Sequence, residues 1–317
     1  MRFRQLFAAA PLVFLACAAQ AVFPDKPVRL IVPFSAGAAA DAVARPLAAQ
    51  LSKAWGQQVL VDNRPGVAAG PQAVLSAPAD GYTLLFGAGS TMVTAPIVIA
   101  RLPYRPQQDF IPIARLVTLP PVLVANASLG IRSLKELADA IRAKPDALNY
   151  MSSGIGAPNH LGMEYLLSLT GGDMVHVPYK GAAPALVDLA SNHVQVGFAT
   201  LPSVLPHLKT GKVVALAVGS PRRTSLLPDV PAVAETLPGF DYSAFYGLFA
   251  LKGTAPALIE KIRVDVTQAL AHPDIQRAIR AEGAEPATTT GAELARYIEE
   301  ETTLWQRIIK QRNLKFD

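Results

Sequence analysis

The stretch from Val28 to Asp41, VRLIVPFSAGAAAD, limits what this chain can fold into more than any other. Val28, Leu30, Ile31 and Val32 make an apolar run of strand length, and Pro33 ends it. A loop of small residues follows, Ser35-Ala36-Gly37-Ala38-Ala39-Ala40, and a helix opens near Asp41. A strand that passes through such a loop into a helix leaves backbone N–H groups without intrahelical acceptors. With the positive end of the helix dipole, those donors form an anion site, and small side chains let a ligand reach the backbone. No GxGxxG or Walker pattern is present, so an ordinary β–α turn packed with alanines also fits these residues. The pattern recurs further on. A strand over Leu148–Ser152 enters Ser153-Gly154-Ile155-Gly156-Ala157, and Pro158 suits the first turn of the next helix. Two such loops facing each other across a cleft would hold both ends of a dicarboxylate.

Between and after these loops, strand and helix signals alternate. Val43, Leu47 and Leu51 form a stripe that predicts a helix over Ala39–Trp55, stopped by Gly56 and kinked at Pro46. Strands are expected over Gln58–Val61 and Tyr82–Phe86, with a short helix over Pro71–Ser76 between them. A small-residue loop Gly87-Ala88-Gly89-Ser90-Thr91 follows the second strand. Ser133-x-x-Glu136 is a capping box, and Pro145 ends its helix. Strands His176–Tyr179, Val194–Ala199 and Val213–Val218 alternate with helices Ala183–Leu189 and Leu201–Lys209, the latter interrupted near Pro206. Such alternation predicts α/β units on largely parallel sheets. Pro120–Asn126 and Tyr246–Leu251 are extended apolar runs placed to cross between two domains, which makes the first domain discontinuous. The C-terminal helices Pro256–Ala271 and Gly291–Lys310 are assigned mostly to that first domain. Glu299-Glu300-Glu301 reads as a solvated helix face.

The N-terminus reads as an export signal. Arg2 and Arg4 precede the apolar segment Leu6–Ala16, and Ala19-Gln20-Ala21 fits a cleavage site after Ala21. Cys17, the one cysteine, falls inside this segment, so the mature chain would lack disulfide and thiolate chemistry. Phe14-Leu15-Ala16-Cys17 is also a loose lipobox, and lipidation at Cys17 is the alternative. Loss of Arg2 and Arg4 lowers the formal charge from +5 to +3. Such a mild excess, without a basic cluster interleaved with aromatics, argues against nucleic acid as a partner. No H-E-x-x-H, G-x-S-x-G or P-loop occurs, and the five histidines show no metal-binding spacing. No catalytic residue, metal or cofactor is therefore assigned. Asp41 at a helix start is read first as a structural cap, with contact to an amino or hydroxyl group of a ligand as the alternative. His160, near the loop Ser153–Ala157, reads either as an ordinary polar residue of a first turn or as a group that braces the cleft.

A set of short segments then identifies a resemblance. Asp62-Asn63-Arg64-Pro65-Gly66, Asp80-Gly81-Tyr82-Thr83-Leu84, Leu102-Pro103-Tyr104, His176-Val177-Pro178-Tyr179-Lys180-Gly181 and Leu227-Pro228-Asp229-Val230-Pro231 run in order along the chain. Together with the Val28–Phe34 strand they resemble the Bug (TctC-like) extracytoplasmic solute-binding receptors of tripartite tricarboxylate transporters. The resemblance implies an α/β, two-lobed periplasmic-binding-protein type II fold, each lobe a mostly parallel sheet flanked by helices, with a two-strand hinge. The expected division is 1–21 signal peptide, 22–123 first lobe, 124–245 second lobe and 246–317 return to the first.

The function it implies is capture of a small organic acid by a monomeric periplasmic receptor for membrane permease subunits. A sensor feeding a two-component system, or a secreted hydrolase or isomerase, stays open as an alternative. In the family, backbone amides and ordered waters hold the ligand's carboxylates. The expected ligand-binding set is Ser35, Ala36, Gly37, Ala38, Ala39, Asp41, Ser90, Thr91, Ser153, Ile155, Gly156, Ala157, His160 and Thr200. Two departures from the family pattern remove donors. Gly37-Ala38-Ala39-Ala40-Asp41 stands where a Gly-Gly pair and a hydroxyl residue are usual, so a glycine of positive φ is expected to be lost. Ala157-Pro158 stands where a Thr-Ser-like pair is common. Both make the pocket more apolar and predict a monocarboxylate with an apolar or aromatic body rather than a small, heavily hydrated dicarboxylate.

Overall fold

A computed structural model describes residues 23–316; the export signal, Cys17 and the cleavage site lie outside the described residues. The first strand, β1 (Val28–Val32), buries every residue except Arg29, because apolar side chains point to both faces. On one face Val28, Leu30 and Val32 pack on α1 (Ala39–Trp55) through Val43, Leu47 and Leu51. On the other, Ile31 joins a second core. α1 runs unbroken through Pro46 and ends at Gly56, whose φ of 65° closes the helix in the left-handed region. β2 (Val59–Asn63), α2 (Ala69–Leu75) and β3 (Thr83–Ala88) complete a parallel unit in which β1 lies between β2 and β3. Gly87 and Ala88, expected in a loop, belong to β3. Only Gly89 separates it from a π-helical turn, Ser90–Thr94, that continues into α3 (Ala95–Val98).

After α4 (Pro106–Asp109) comes β4 (Phe110–Leu119), a strand that the sequence patterns did not predict. Pro112 argues against a strand, since it cannot donate to a ladder. It is accommodated here beside a register shift opposite Leu248 and Phe249. The chain then crosses to a second sheet at Pro120-Pro121 and enters β5 (Val122–Asn126). α5 (Leu134–Ala143) starts at Ser133, whose side chain accepts the Glu136 N–H as the capping pattern requires. β6 (Asn149–Ser152), α6 (Pro158–Thr170), β7 (Val175–Pro178), α7 (Ala182–Ala190), β8 (Val196–Ala199), α8 (Leu201–Lys209) and β9 (Val213–Val218) follow. α8 is continuous through Pro206, contrary to the expected interruption. Leu205 and Pro206 are exposed, so the backbone carbonyl that loses its donor is free to meet water. The chain returns to the first sheet as β10 (Ala244–Leu251), then adds α9 (Pro256–Leu270), α10 (Pro273–Ala281), β11 (Glu285–Pro286) and α11 (Gly291–Gln311).

The first sheet has the order β11-β4-β10-β3-β1-β2 and the second β7-β6-β8-β5-β9. In each, three parallel strands adjoin one antiparallel strand that arrives from the other sheet, and a strand of the original sense lies beyond it; the short β11, antiparallel to β4, adds the edge of the first sheet. The arriving strands are β10 and β5. They alone lack a crossover helix within their own sheet, which is why they run against their neighbours. Where the chain crosses, the segments bond to one another: Gly219 N–H to Pro121 O at 2.7 Å and Tyr242 N–H to Gly219 O at 2.8 Å. α11 packs along β4 and also on α6, so the last helix touches both halves of the molecule.

Candidate functional site

Both small-residue loops form, and they share one local geometry. Gly37 takes φ +80° and Gly156 φ +72°, conformations that favour glycine. Ala38 and Ala157 follow in extended conformation as the N-caps of α1 and α6, and neither side chain caps its helix. Gly37 alone therefore needs positive φ in its loop; Ala38 in place of a second glycine costs no strain. In both loops the glycine N–H is held by a side chain four residues on. Gly37 N–H donates to Asp41 Oδ2 at 2.8 Å, and Gly156 N–H donates to His160 Nδ1 at 3.1 Å. Ser153 N–H likewise donates to Asn159 Oδ1 at 3.1 Å. Part of the predicted donor set thus braces the loops from within. The donors left over are first-turn N–H groups, of Ala39 to Asp41 in α1 and of Asn159 and His160 in α6.

Asp41 is buried and fully engaged. It accepts also from Arg45 Nε at 2.8 Å and Asn63 Nδ2 at 2.9 Å. Burial pushes its carboxyl up, but the bonds from Arg45, Gly37 and Asn63 outweigh this and hold it below the ordinary carboxylate range. Three of its acceptor sites are taken by the loop glycine, Arg45 and Asn63, the arrangement of a cap and brace.

Below the third loop lies a buried polar stack. His160, 5% exposed, stacks on His176 with ring centroids 4.0 Å apart, and His176 stacks on Tyr150 at 4.9 Å. Ser152 Oγ and His176 Nε2 are 2.7 Å apart. Burial lowers both imidazoles, His176 to about 4, with the neighbouring His160 ring adding to the effect. Glu164, also buried, bonds Tyr150 Oη and accepts from Arg312 Nε at 2.7 Å.

Two cavities lie between the sheets and share Pro158, Tyr242, Ala244 and Tyr246 as common wall. One, of about 260 Å³, opens at the crossing residues Pro120 and Pro121; the N-termini of α6 and α8 reach it through Ser153, Asn159, Thr200 and Leu201. The other, of about 160 Å³, is walled by Phe34, Phe245, Trp305, Ser90 and Glu301. Of the expected set, Ser90, Ser153 and Thr200 line a cavity. Ser35, Ala36 and Gly37 are exposed and Ala38 and Ala39 half-buried outside both cavities, although Phe34 beside them lines one. Thr91 is buried, with its hydroxyl closed on Ala88 N–H and O. Ile155 is 57% exposed, and Gly156, Ala157 and His160 line neither cavity.

Tyr242, Tyr246, Phe198, Glu301 and Trp305 escaped the sequence reading. Glu301 corrects an expectation: Glu299 and Glu300 are exposed, but Glu301 is 8% exposed. It falls in the stripe Leu294, Ile298, Trp305 and Ile308 that α11 buries, and that spacing was the available signal. Among the described residues, no group of three or more His, Cys, Asp or Glu side chains is placed to hold a metal.

A family model described as the tripartite tricarboxylate transporter family receptor matches residues 43–314. The chain is 36% identical over 296 residues to a UPF0065 protein in the tcbD-tcbE intergenic region of Pseudomonas sp. strain P51, covering 92% of this chain and 88% of that one. Among solved structures it resembles R. palustris Rpa4515 with adipate, at 32% identity, TM-score 0.74 and coverage of 92% and 99%. It also resembles MatC (Rpa3494) from Rhodopseudomonas palustris with bound malate, at 32% identity, TM-score 0.69 and coverage of 90% and 100%.

Proposed function

The chain belongs to the tripartite tricarboxylate transporter receptor family, periplasmic solute-binding proteins and not enzymes, and from that premise we propose that it captures a small organic carboxylate between its two sheets for a membrane permease. The observation that carries this reading is the convergence of two helix N-termini on one cavity. α6 and α8 both end there, with the Ser153 and Thr200 hydroxyls beside them and no Lys or Arg on the wall. First-turn N–H groups and the helix dipoles stabilise an anion at such a place without a cationic side chain. The rest of the wall is aromatic and aliphatic, which suits a ligand with an apolar body.

The first loop, Ser35–Asp41, then acts by closure. Hinging at Pro120-Pro121 and at the 219–243 crossing brings it toward the carboxylate bound on the other lobe. The closed form is what a permease would recognise. The relatives with adipate and malate are consistent with carboxylate as the ligand class.

The test is a thermal-shift and calorimetric screen over mono-, di- and tricarboxylates. A binder at 100 times its Kd stabilises the fold by about 2.7 kcal/mol. Ser153→Ala with Thr200→Ala should weaken the best ligand about tenfold, near the 1.4 kcal/mol of a lost hydrogen bond. No stabilisation by any carboxylate would refute the reading. Citrate or malate outcompeting every apolar acid would refute the apolar body alone.

A further inference from the structure

The charges on the walls are of one sign. Of the residues that line the two cavities, Glu282 and Glu301 carry the only charged side chains. Glu282 is half-buried at the larger cavity, whereas Glu301 is buried at the smaller one. The Glu301 carboxyl meets one hydroxyl at hydrogen-bond distance, Tyr297 Oη at a long 3.3 Å, and has the Trp305 indole N–H as a second neighbouring donor. Around it stand Asp241 and Tyr242 from the crossing segment, Arg115 from β4, Tyr165 from α6, and Tyr297 and Trp305 from its own helix. Arg115 is the guanidinium that acts on both carboxyls, while Arg307 reaches Tyr165 at the edge of the cluster. Arg115 is itself committed to the Tyr297 ring, 4.5 Å from its centroid, and its buried Nε has no partner. The cluster lacks one positive charge. Burial, reinforced by Asp241, pushes Glu301 up to about 8, so when the cavity is empty a proton supplies that charge at neutral pH.

Much of the remaining wall is aromatic. Trp305 and Tyr242 meet edge to face at 5.9 Å and 90°, and Phe34 and Tyr246 at 6.0 Å and 61°. Aromatic faces around a desolvated site attract a positive ligand group, tryptophan most strongly. We propose that Glu301 and the surrounding rings form a subsite for an ammonium group at the far end of the ligand, which makes the ligand an ω-amino acid or betaine-like zwitterion. This rests on the carboxylate reading, because the ligand's acid end occupies the larger cavity across the shared wall of Pro158, Tyr242 and Tyr246. On binding, the ammonium replaces the proton on Glu301, and that proton leaves to solvent.

The experiment is titration calorimetry of the full mature chain with ligands matched in length: hexanoate, adipate, hexylamine and ω-amino acids of four to six carbons. At least one ω-amino acid should bind tenfold or more tighter than hexanoate and adipate. In two buffers of different ionisation enthalpy at pH 7, its binding should release close to one proton. Glu301→Gln, checked for a native melting transition, should weaken that ligand at least tenfold, leave hexanoate unchanged and abolish the proton release. Adipate or hexanoate binding as tightly as every ω-amino acid, or no ligand of the panel binding, overturns the proposal. Tight binding of adipate or hexanoate alone leaves the carboxylate reading standing. Hexylamine binding as tightly as the ω-amino acids leaves Glu301 as the ammonium partner but removes the carboxylate clasp.

Discussion

Asp41 accepts three hydrogen bonds at the start of α1, and removing it would leave the Gly37 N–H without its partner and the Asn63 amide with only Phe34 O as acceptor. Asp41→Ala is expected to cost about 2–3 kcal/mol in urea unfolding, the scale of a buried charge-assisted network. Glu301 has the opposite character. Its folded-state value near 8 lies above the ordinary 4.5, so between those values the native protein holds a proton that the unfolded chain has lost. Stability contributed by this group is complete below about 4.5, declines as pH rises toward 8, and is constant above. Glu301→Gln should remove that decline and leave the variant the more stable protein at pH 8, by an amount on the order of a few kcal/mol. Urea midpoints of both proteins at pH 5, 6.5 and 8 check this.

At the scale of the element, α6 combines a brace, a close contact and a salt link. His176 is held at about 4 against an ordinary 6.5, so in that window the unfolded chain binds a proton that the folded one refuses. Stability should fall as pH drops from 6.5 toward 4, the reverse of the Glu301 effect, and His176→Asn should flatten this slope. Measured unfolding free energies at pH 4.5, 5.5 and 6.5 would show it. Gly162 makes room for the cleft wall. A Cβ there would lie 2.3 Å from Tyr242 Cε1. Gly162→Ala should cost about 1–3 kcal/mol by overpacking, and it should weaken ligand binding because Tyr242 is the wall common to both cavities.

For the molecule as a whole, two sheets of like topology exchange one strand each, and the exchange creates the cleft and its hinge together. α11 lies across both, tied to α6 where Arg312 bonds Glu164 and Asp173. Arg312→Ala leaves the buried Glu164 without its cation and should cost about 3 kcal/mol by chemical denaturation. Ligand binding should lower the radius of gyration in solution scattering as the lobes close; a saturating ligand that leaves it unchanged would exclude closure.

The chain's alternation of apolar strands with striped helices, and its two strand–loop–helix units, were legible because period, Gly and Pro act locally. β1, α1, the capped α5 and both small-residue loops follow from residues within one or two turns of each other. The same local logic hid β4, because Pro112 is tolerated only opposite a bulge formed with a strand more than a hundred residues away. It hid Glu301 as well, since a third glutamate in a row reads as solvated until α11 turns that face onto β4, α6 and Tyr242. It also could not show that Asp41 and His160 take up the glycine N–H groups once the helices set their side chains. Local sequence therefore determined which segments present backbone donors. Only the packing of distant segments decided which donors stay free and which side chains face the cavities, because desolvation and pairing depend on neighbours in space rather than along the chain.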